Sequence, residues 1–294
     1  VTLHRAMAAA AALVERELDH WLPHADTVEG RLHAAMRYAA LGPGKRMRPL
    51  LVVETARLFG VAAERAAPAA AAIELVHAYS LVHDDLPCMD DDDLRRGRAT
   101  VHRAFDEATA VLTGDALLTL AFEVMGDVSA GPDAAARCEL VVGLARAAGA
   151  NGMVAGQAID LAAETAEIDL IETRRLQALK TGALIGFSCE AGAILGRADL
   201  PARKALAAYA ADLGLSFQIT DDVLDLEGDE AAVGKKLRKD RKAGKVTFVD
   251  HLGLDGAKRE AQQLAQAAAG RLASFGERAD VLRKLAAFVV SRRS

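Results

Sequence analysis

The chain has 294 residues, 52% of them hydrophobic, enough to bury a large core without disulfide or metal staples, which excludes disorder, collagen and a miniature disulfide scaffold. With 36 Lys+Arg against 41 Asp+Glu the net charge is −5, which argues against a general nucleic-acid or anionic-membrane binder, so any anion site is local. Three cysteines, Cys88, Cys138 and Cys189, form no C-x-x-C pair; this fits a reducing compartment, and all three read as buried thiols.

Aromatics make up 4% of the chain, β-branched alternation is nearly absent, and Ala, Leu, Glu and Arg dominate, so almost every window prefers helix. The expected fold is all-α, one domain over 1–294. The apolar stretch from Ala6 to Val14 could pass for a short signal core, but it runs into Glu15-Arg16-Glu17 and keeps helical spacing through Leu18 and Trp21. A first helix is therefore predicted over 3–22, followed by helices at 28–41, 48–59, 64–85, 105–126, 133–149, 152–163, 168–195, 202–226, 247–252, 255–275 and 278–291. Loops are marked by Gly42-Pro43-Gly44, Gly60, Pro87, Gly131-Pro132, the stretch 196–201 and the stretch 228–244. No uninterrupted run reaches the ~18 apolar residues of a membrane span, and the cytoplasm is the expected compartment.

Between Asp84 and Asp93 the sequence reads D-D-L-P-C-M-D-D-D-D, six carboxylates and no cation. A solvated acidic turn is the plain alternative. However, the preceding apolar segment 73–82 enters the core, and Pro87 leaves Asp84 and Asp85 at a helix C-terminus, which repels carboxylates. A bound cation offsets both penalties. The second cluster, Asp221, Asp222 and Asp225, joins Gln218 at i, i+3, i+4 and i+7 on one helix face, beside an inward stripe of Leu206, Tyr209, Leu213 and Phe217. Gly214 and Ala211 extend that polar line and read as space beside it. Surface and site are equally compatible with this patch alone. Two all-oxygen clusters suit Mg²⁺ or Mn²⁺ and suit Zn²⁺ poorly, and Mg²⁺ usually shares its shell with substrate phosphates. A phosphorylated ligand between the clusters is the expectation.

Cations surround these clusters. Lys45-Arg46-Met47-Arg48-Pro49 opens a helix after Gly42-Pro43-Gly44; Arg95, Arg96 and Arg98 follow the acidic run; and Lys180-Thr181 sits in an apolar helix beside Gly182 and Gly186. Taken together, the stretches GPGKRMRP, HAYSLVHDDLPCMDDDDLRRG, GDALL, KTGALI, FQITDDVLD and GKVTFVDHLGL resemble those of trans-isoprenyl diphosphate synthases, over nearly the whole chain and in the same order. The similarity is greatest to the bacterial farnesyl diphosphate synthase type. Terpene cyclases, with an Asn/Ser/Glu signature at the second motif, fit less well.

The resemblance implies the all-α isoprenoid synthase fold around a deep central cavity, usually as a homodimer; the charge balance adds the expectation of no nucleic-acid or membrane partner. It implies that Asp84, Asp85, Asp90, Asp221, Asp222 and Asp225 bind Mg²⁺ (three per site, Mn²⁺ as substitute) bridged to the allylic diphosphate, dimethylallyl or geranyl. Arg95, Lys180, Thr181, Gln218 and Lys235 match positions that hold the same diphosphate. Lys45, Arg48, His77 and Arg96 match the isopentenyl diphosphate site, with Arg46 helping indirectly and His77 a donor rather than a base. Two departures stand out: Pro43 where Gly is usual, and Ala99 where Pro is common. The basic stretch 234–245 reads as a solvated lid contributing Lys235, and Arg292-Arg293 reads as a frayed end, closure over the second diphosphate being its alternative.

Chain length is a separate expectation. Five residues back from Asp84, roughly 7–8 Å along a helix, Tyr79 would stop a growing tail beyond Ser80, and an aromatic there resembles C15-producing enzymes. An ideal helix nevertheless turns Tyr79 about 140° away from Asp84, so a purely structural Tyr79 remains open. C20 and C10 synthases, or a non-catalytic regulatory subunit, are the alternatives. Gly114, Asp115 and Gln157 have no fixed role, though Gln157 could face the cavity.

Overall fold

The computed structural model describes residues 2–26, 28–166, 168–227 and 246–292. Lys235 and Arg293, both named above, lie outside the described residues. Helices dominate in the expected order: α1 (Leu3–Trp21), α2 (Gly30–Ala40), α3 (Met47–Leu58), α4 (Ala63–Asp84), α5 (Val101–Ala104), α6 (Glu107–Gly126), α7 (Ala134–Ala148), α8 (Met153–Ala163), α9 (Leu170–Gln177), α10 (Ala183–Leu195), α11 (Leu200–Glu227), α12 (Phe248–Leu252), α13 (Leu254–Arg271) and α14 (Asp280–Ser291). Their starts follow local chemistry. Asp106, Asp133 and Asp169 accept the N3 amides of α6, α7 and α9, and Thr247 with Asp250 forms a capping box on α12.

The centre is set by helices apolar on every side. In α4 the whole run from Ala66 to Val76 is buried, and α10 buries Leu184, Ile185, Phe187, Ser188, Cys189 and the stretch Ala191 to Leu195. α4 packs on α1, α3 and α6, while α10 packs on α3, α7 and α11, and α11 lies along α13. The two acidic motifs end α4 and α11, so this central packing decides their placement.

Four observations differ from the sequence-based expectations. The segment predicted as one helix over 168–195 is broken by a π-turn, Ala178–Gly182. A two-residue hairpin, β1 (Leu94–Arg95) against β2 (Arg98–Ala99), stands in the all-α frame, its turn made by Arg96 and Gly97 at φ 51° and 76°. Only Cys189 is a buried thiol; Cys88, in the acidic turn, and Cys138, on the outer face of α7, are exposed. Finally, Glu107–Gly126 and Leu170–Leu195 are long and apolar enough to cross a membrane by length and composition, which uninterrupted runs did not reveal. Both pack into the bundle, the first on α4 and the second on α3 and α11.

Candidate active site

The first motif is folded back on its own helix. The backbone N–H groups of Asp90 and Asp92 donate to the carbonyls of Asp84 and Asp85 at 2.8 and 3.2 Å, and Asp91 adopts φ 48°. The acidic loop thereby satisfies the α4 terminus with its amides while gathering its carboxylates there. Asp85 is buried and accepts from Arg95 Nε at 2.7 Å, with Arg95 Nη2 at 2.6 Å. Burial pushes the Asp85 carboxyl up despite that partner. Asp84 is pushed up to about 6, chiefly by burial, with Lys180 and Arg95 pulling it down and Asp90 and Asp85 raising it.

Lys180 and Thr181 reach the site from the π-turn, a helix defect that recurs at functional positions. The turn is squeezed from two sides. A Cβ on Gly156 of α8 would lie 2.2 Å from Lys180 N, and one on Gly214 of α11 would lie 3.3 Å from Gly182 Cα. Gly214 thus permits close approach and leaves no open space, correcting the reading above. Ala211 instead lines a groove of about 750 Å³ between α7, α10 and α11, lined by Gly182 and Ala183 of the KTGALI stretch but by none of the acidic or cationic site residues named above. From the turn, Lys180 Nζ donates to the buried Asp160 at 2.7 Å, Thr181 Oγ1 donates to Gln218 Oε1 at 3.1 Å, and Gln218 Nε2 donates to Asp222 Oδ1 at 3.3 Å. Through Lys180, whose charge acts on Asp84, and this hydrogen-bond path, both acidic motifs connect to the same π-turn.

In the second motif Asp222 is the anchored carboxylate, its Oδ2 accepting Phe248 N at 2.9 Å at the start of α12. Asp221 Oδ1 accepts Arg292 Nη2 at 2.6 Å. Arg292 is therefore no frayed end: its side chain is 4% exposed and tied to the second acidic motif.

A separate cationic group lies alongside. Arg48 and His77 are half-buried and Arg96 exposed. Burial lowers Arg48, which also feels Glu74, Arg96 and Asp221. His77 is held well below its usual range, first by burial and then by Arg48, Arg96, Arg95 and Arg46. His77 is neutral at pH 7 and offers a hydrogen bond without added charge. Arg96, at φ 51°, donates to Pro43 O at 2.5 Å, tying the hairpin to the loop that carries the exposed Lys45. Arg46 points elsewhere: buried, it donates to Glu74 at 2.7 Å and to the carbonyls of Ala40 and Gly42, bracing that loop.

Tyr79 is 6% exposed, stacked edge-on with His83 at 5.8 Å, and pushed up to about 12 by burial and Asp84. Ser80 turns its hydroxyl back to His77 O at 2.9 Å. Gly114 is explained by packing: a Cβ there would lie 2.0 Å from His83 Nε2. Asp115 is exposed on α6. Asp160 was missed by sequence reasoning, although it lies three residues beyond Gln157, within reach of the same helix face.

The residues fit a hard divalent cation with a diphosphate. The donors are all carboxylate oxygens, Asp84 is left short of compensation by the protein, and Gln157 Nε2 and Arg48 Nε are buried without hydrogen-bond partners among the described residues. Among those residues no three His, Cys, Asp or Glu side chains converge on a metal position of their own, so a cation there would need phosphate oxygens to complete its shell.

A family model described as polyprenyl synthetase matches residues 29–285. The chain belongs to the polyprenyl synthetase family. This polyprenyl synthetase is 44% identical over 264 residues to a farnesyl diphosphate synthase of Haemophilus influenzae, covering 88% of each chain. A structure of an FPP/GFPP synthase from Zymomonas mobilis superposes with a TM-score of 0.90 at 50% identity over 98% of each chain. A Helicobacter pylori geranyltransferase, solved with magnesium and isoprenyl diphosphate, superposes with a TM-score of 0.84 at 31% identity, over 97% of this chain and 96% of that one. The fold is the isoprenoid synthase fold.

Proposed function

We propose that this prenyltransferase condenses isopentenyl diphosphate head to tail with dimethylallyl and then geranyl diphosphate, giving farnesyl diphosphate and pyrophosphate. The observation that carries the reading is the meeting of two anion-receiving groups at one centre. Lys180, Thr181 and Gln218 run between the two acidic motifs, and Arg48, beside His77 and Arg96, feels Asp221. The farnesyl product is supported by the relative from Haemophilus influenzae.

Asp84, Asp85, Asp90, Asp221, Asp222 and Asp225 are the proposed holders of three Mg²⁺ ions, with Mn²⁺ able to substitute; the magnesium in the Helicobacter pylori neighbour supports the choice. When bound, divalent cations neutralise the diphosphate and favour its departure. Lys180, charged and aimed by Asp160, and Arg95, braced on Asp85, stabilise the negative charge that gathers on the leaving group as the allylic C–O bond breaks. Lys45, Arg48, His77 and Arg96 hold the isopentenyl diphosphate so that its double bond attacks the allylic carbocation. Loss of a proton to the departing pyrophosphate completes the product, and no side chain forms a covalent intermediate. Tyr79 is the proposed limit to tail length.

A homodimer working in the cytoplasm is the proposed state; the free cysteines agree with a reducing compartment. Incubation of the purified chain with Mg²⁺, isopentenyl diphosphate and geranyl diphosphate should release pyrophosphate and give a C15 product on chromatography. A C20 product would reassign chain length, and absence of turnover would favour a regulatory subunit.

A further inference from the structure

We infer that Arg292 is a positioning residue that fixes one oxygen of Asp221 and leaves the other directed to the bound cation. This rests on the proposed metal–diphosphate reading of the site. Arg292 is the C-cap of α14, and its backbone N–H donates to Phe288 O at 3.0 Å. Four contacts hold its guanidinium. Nη2 donates to Asp221 Oδ1 at 2.6 Å and to Phe217 O at 3.2 Å, Nε donates to Val289 O at 3.2 Å, and Cζ lies 4.0 Å over the Phe217 ring. The Arg292 side chain is 4% exposed and that of Asp221 is 36% exposed, so the cation is the fixed member and the carboxylate the one it restrains.

The neighbouring acid sharpens the assignment. Asp222 has both oxygens engaged, by Gln218 and by Phe248 N, whereas Asp221 Oδ2 accepts no hydrogen bond among the described residues. A buried guanidinium stacked on a ring and bonded to two carbonyls cannot swing away cheaply, because it would strand its charge. That favours a fixed strut over a latch competing with the cation. Partners of ligating carboxylates that set their orientation typically contribute 10–100-fold in metal affinity.

The test is Mn²⁺ binding to the full chain with inorganic pyrophosphate, followed by electron paramagnetic resonance, so that no turnover enters the readout. Arg292→Gln is expected to weaken Mn²⁺ by about 10-fold or more, Arg292→Lys by less, and Arg292→Gln should add nothing in an Asp221→Asn background. Parental or tighter Mn²⁺ affinity in a folded Arg292→Gln chain overturns the inference. Should that variant lose its helical circular dichroism, Arg292→Lys decides: severalfold weakening supports the inference and parental affinity overturns it. If the parent chain binds no Mn²⁺ with pyrophosphate, the metal–diphosphate reading itself fails.

Discussion

Asp84 is the residue where stability and the proposed cation-binding role pull in opposite directions. Its carboxyl, pushed up to about 6, lies above its unfolded value of roughly 3.9, so the folded chain keeps a proton that the unfolded chain releases between about pH 4 and 6. Folding of the metal-free protein is therefore destabilised as pH rises through that window, and the penalty is complete above it. Asp106 works with the opposite sign: lowered to about 2 by the Thr109 amide and by Arg31, it stabilises above about pH 4, and that contribution fades as pH falls through 2. The expected result is a metal-free Tm that drops from pH 4 to 6, with the drop reduced in Asp84→Asn. Parallel profiles for parent and variant would refute the assignment. Since a cation requires the ionised form, the Mg²⁺ concentration for half-maximal turnover should also climb below about pH 6. Much of this was readable beforehand, because six acids in ten residues with no cation demand compensation. Asp160 escaped notice because a single acid inside an apolar helix looks ordinary until Lys180 is placed on it.

At the level of elements, the helix starts were legible where an Asp cap and the apolar period coincide, as at Asp106, Asp133 and Asp169. The π-turn and the hairpin were not, since their causes are remote in sequence. Gly97 signals a positive φ, but nothing local tells that Arg96 takes φ 51° beside it. Likewise, Ala178–Gly182 reads as ordinary helix until α8 and α11 close on it at Gly156 and Gly214. Gly156→Ala tests that cause by its sign. In an unconstrained helix interior the change stabilises by about 0.5–1 kcal/mol, whereas a Cβ 2.2 Å from Lys180 N must displace the turn. A loss of about 1–3 kcal/mol in denaturant unfolding is expected, together with a slower single-turnover rate as Lys180 leaves its place beside Asp160 and Asp84. A stabilised, fully active variant would show that α8 does not shape the turn.

For the whole molecule, the unresolved balance is the apolar surface of α6. This helix is apolar enough to pass for a membrane span, yet only 44% of that window is buried within the chain. Its α4-facing side carries Ala110, Leu117, Ala121 and Val124 into the core, while Val111 and Leu112 stay 42% and 56% exposed and Leu118 and Phe122 are half-buried. Val111, Leu112, Leu118 and Phe122 thus flank the exposed Asp115 on the outer side of α6, and large apolar side chains grouped outside the core mark an interaction face. A second copy meeting this face through a two-fold axis would cover it with the same residues, the commonest closed arrangement. Light scattering should thus give twice the 30.9 kDa chain mass. Leu112→Glu, placing a charge on that face without touching the acidic motifs, should shift the population toward monomer with its helical content retained. A monomeric parent, or a Leu112→Glu chain as dimeric as the parent at every concentration, would remove α6 from the interface.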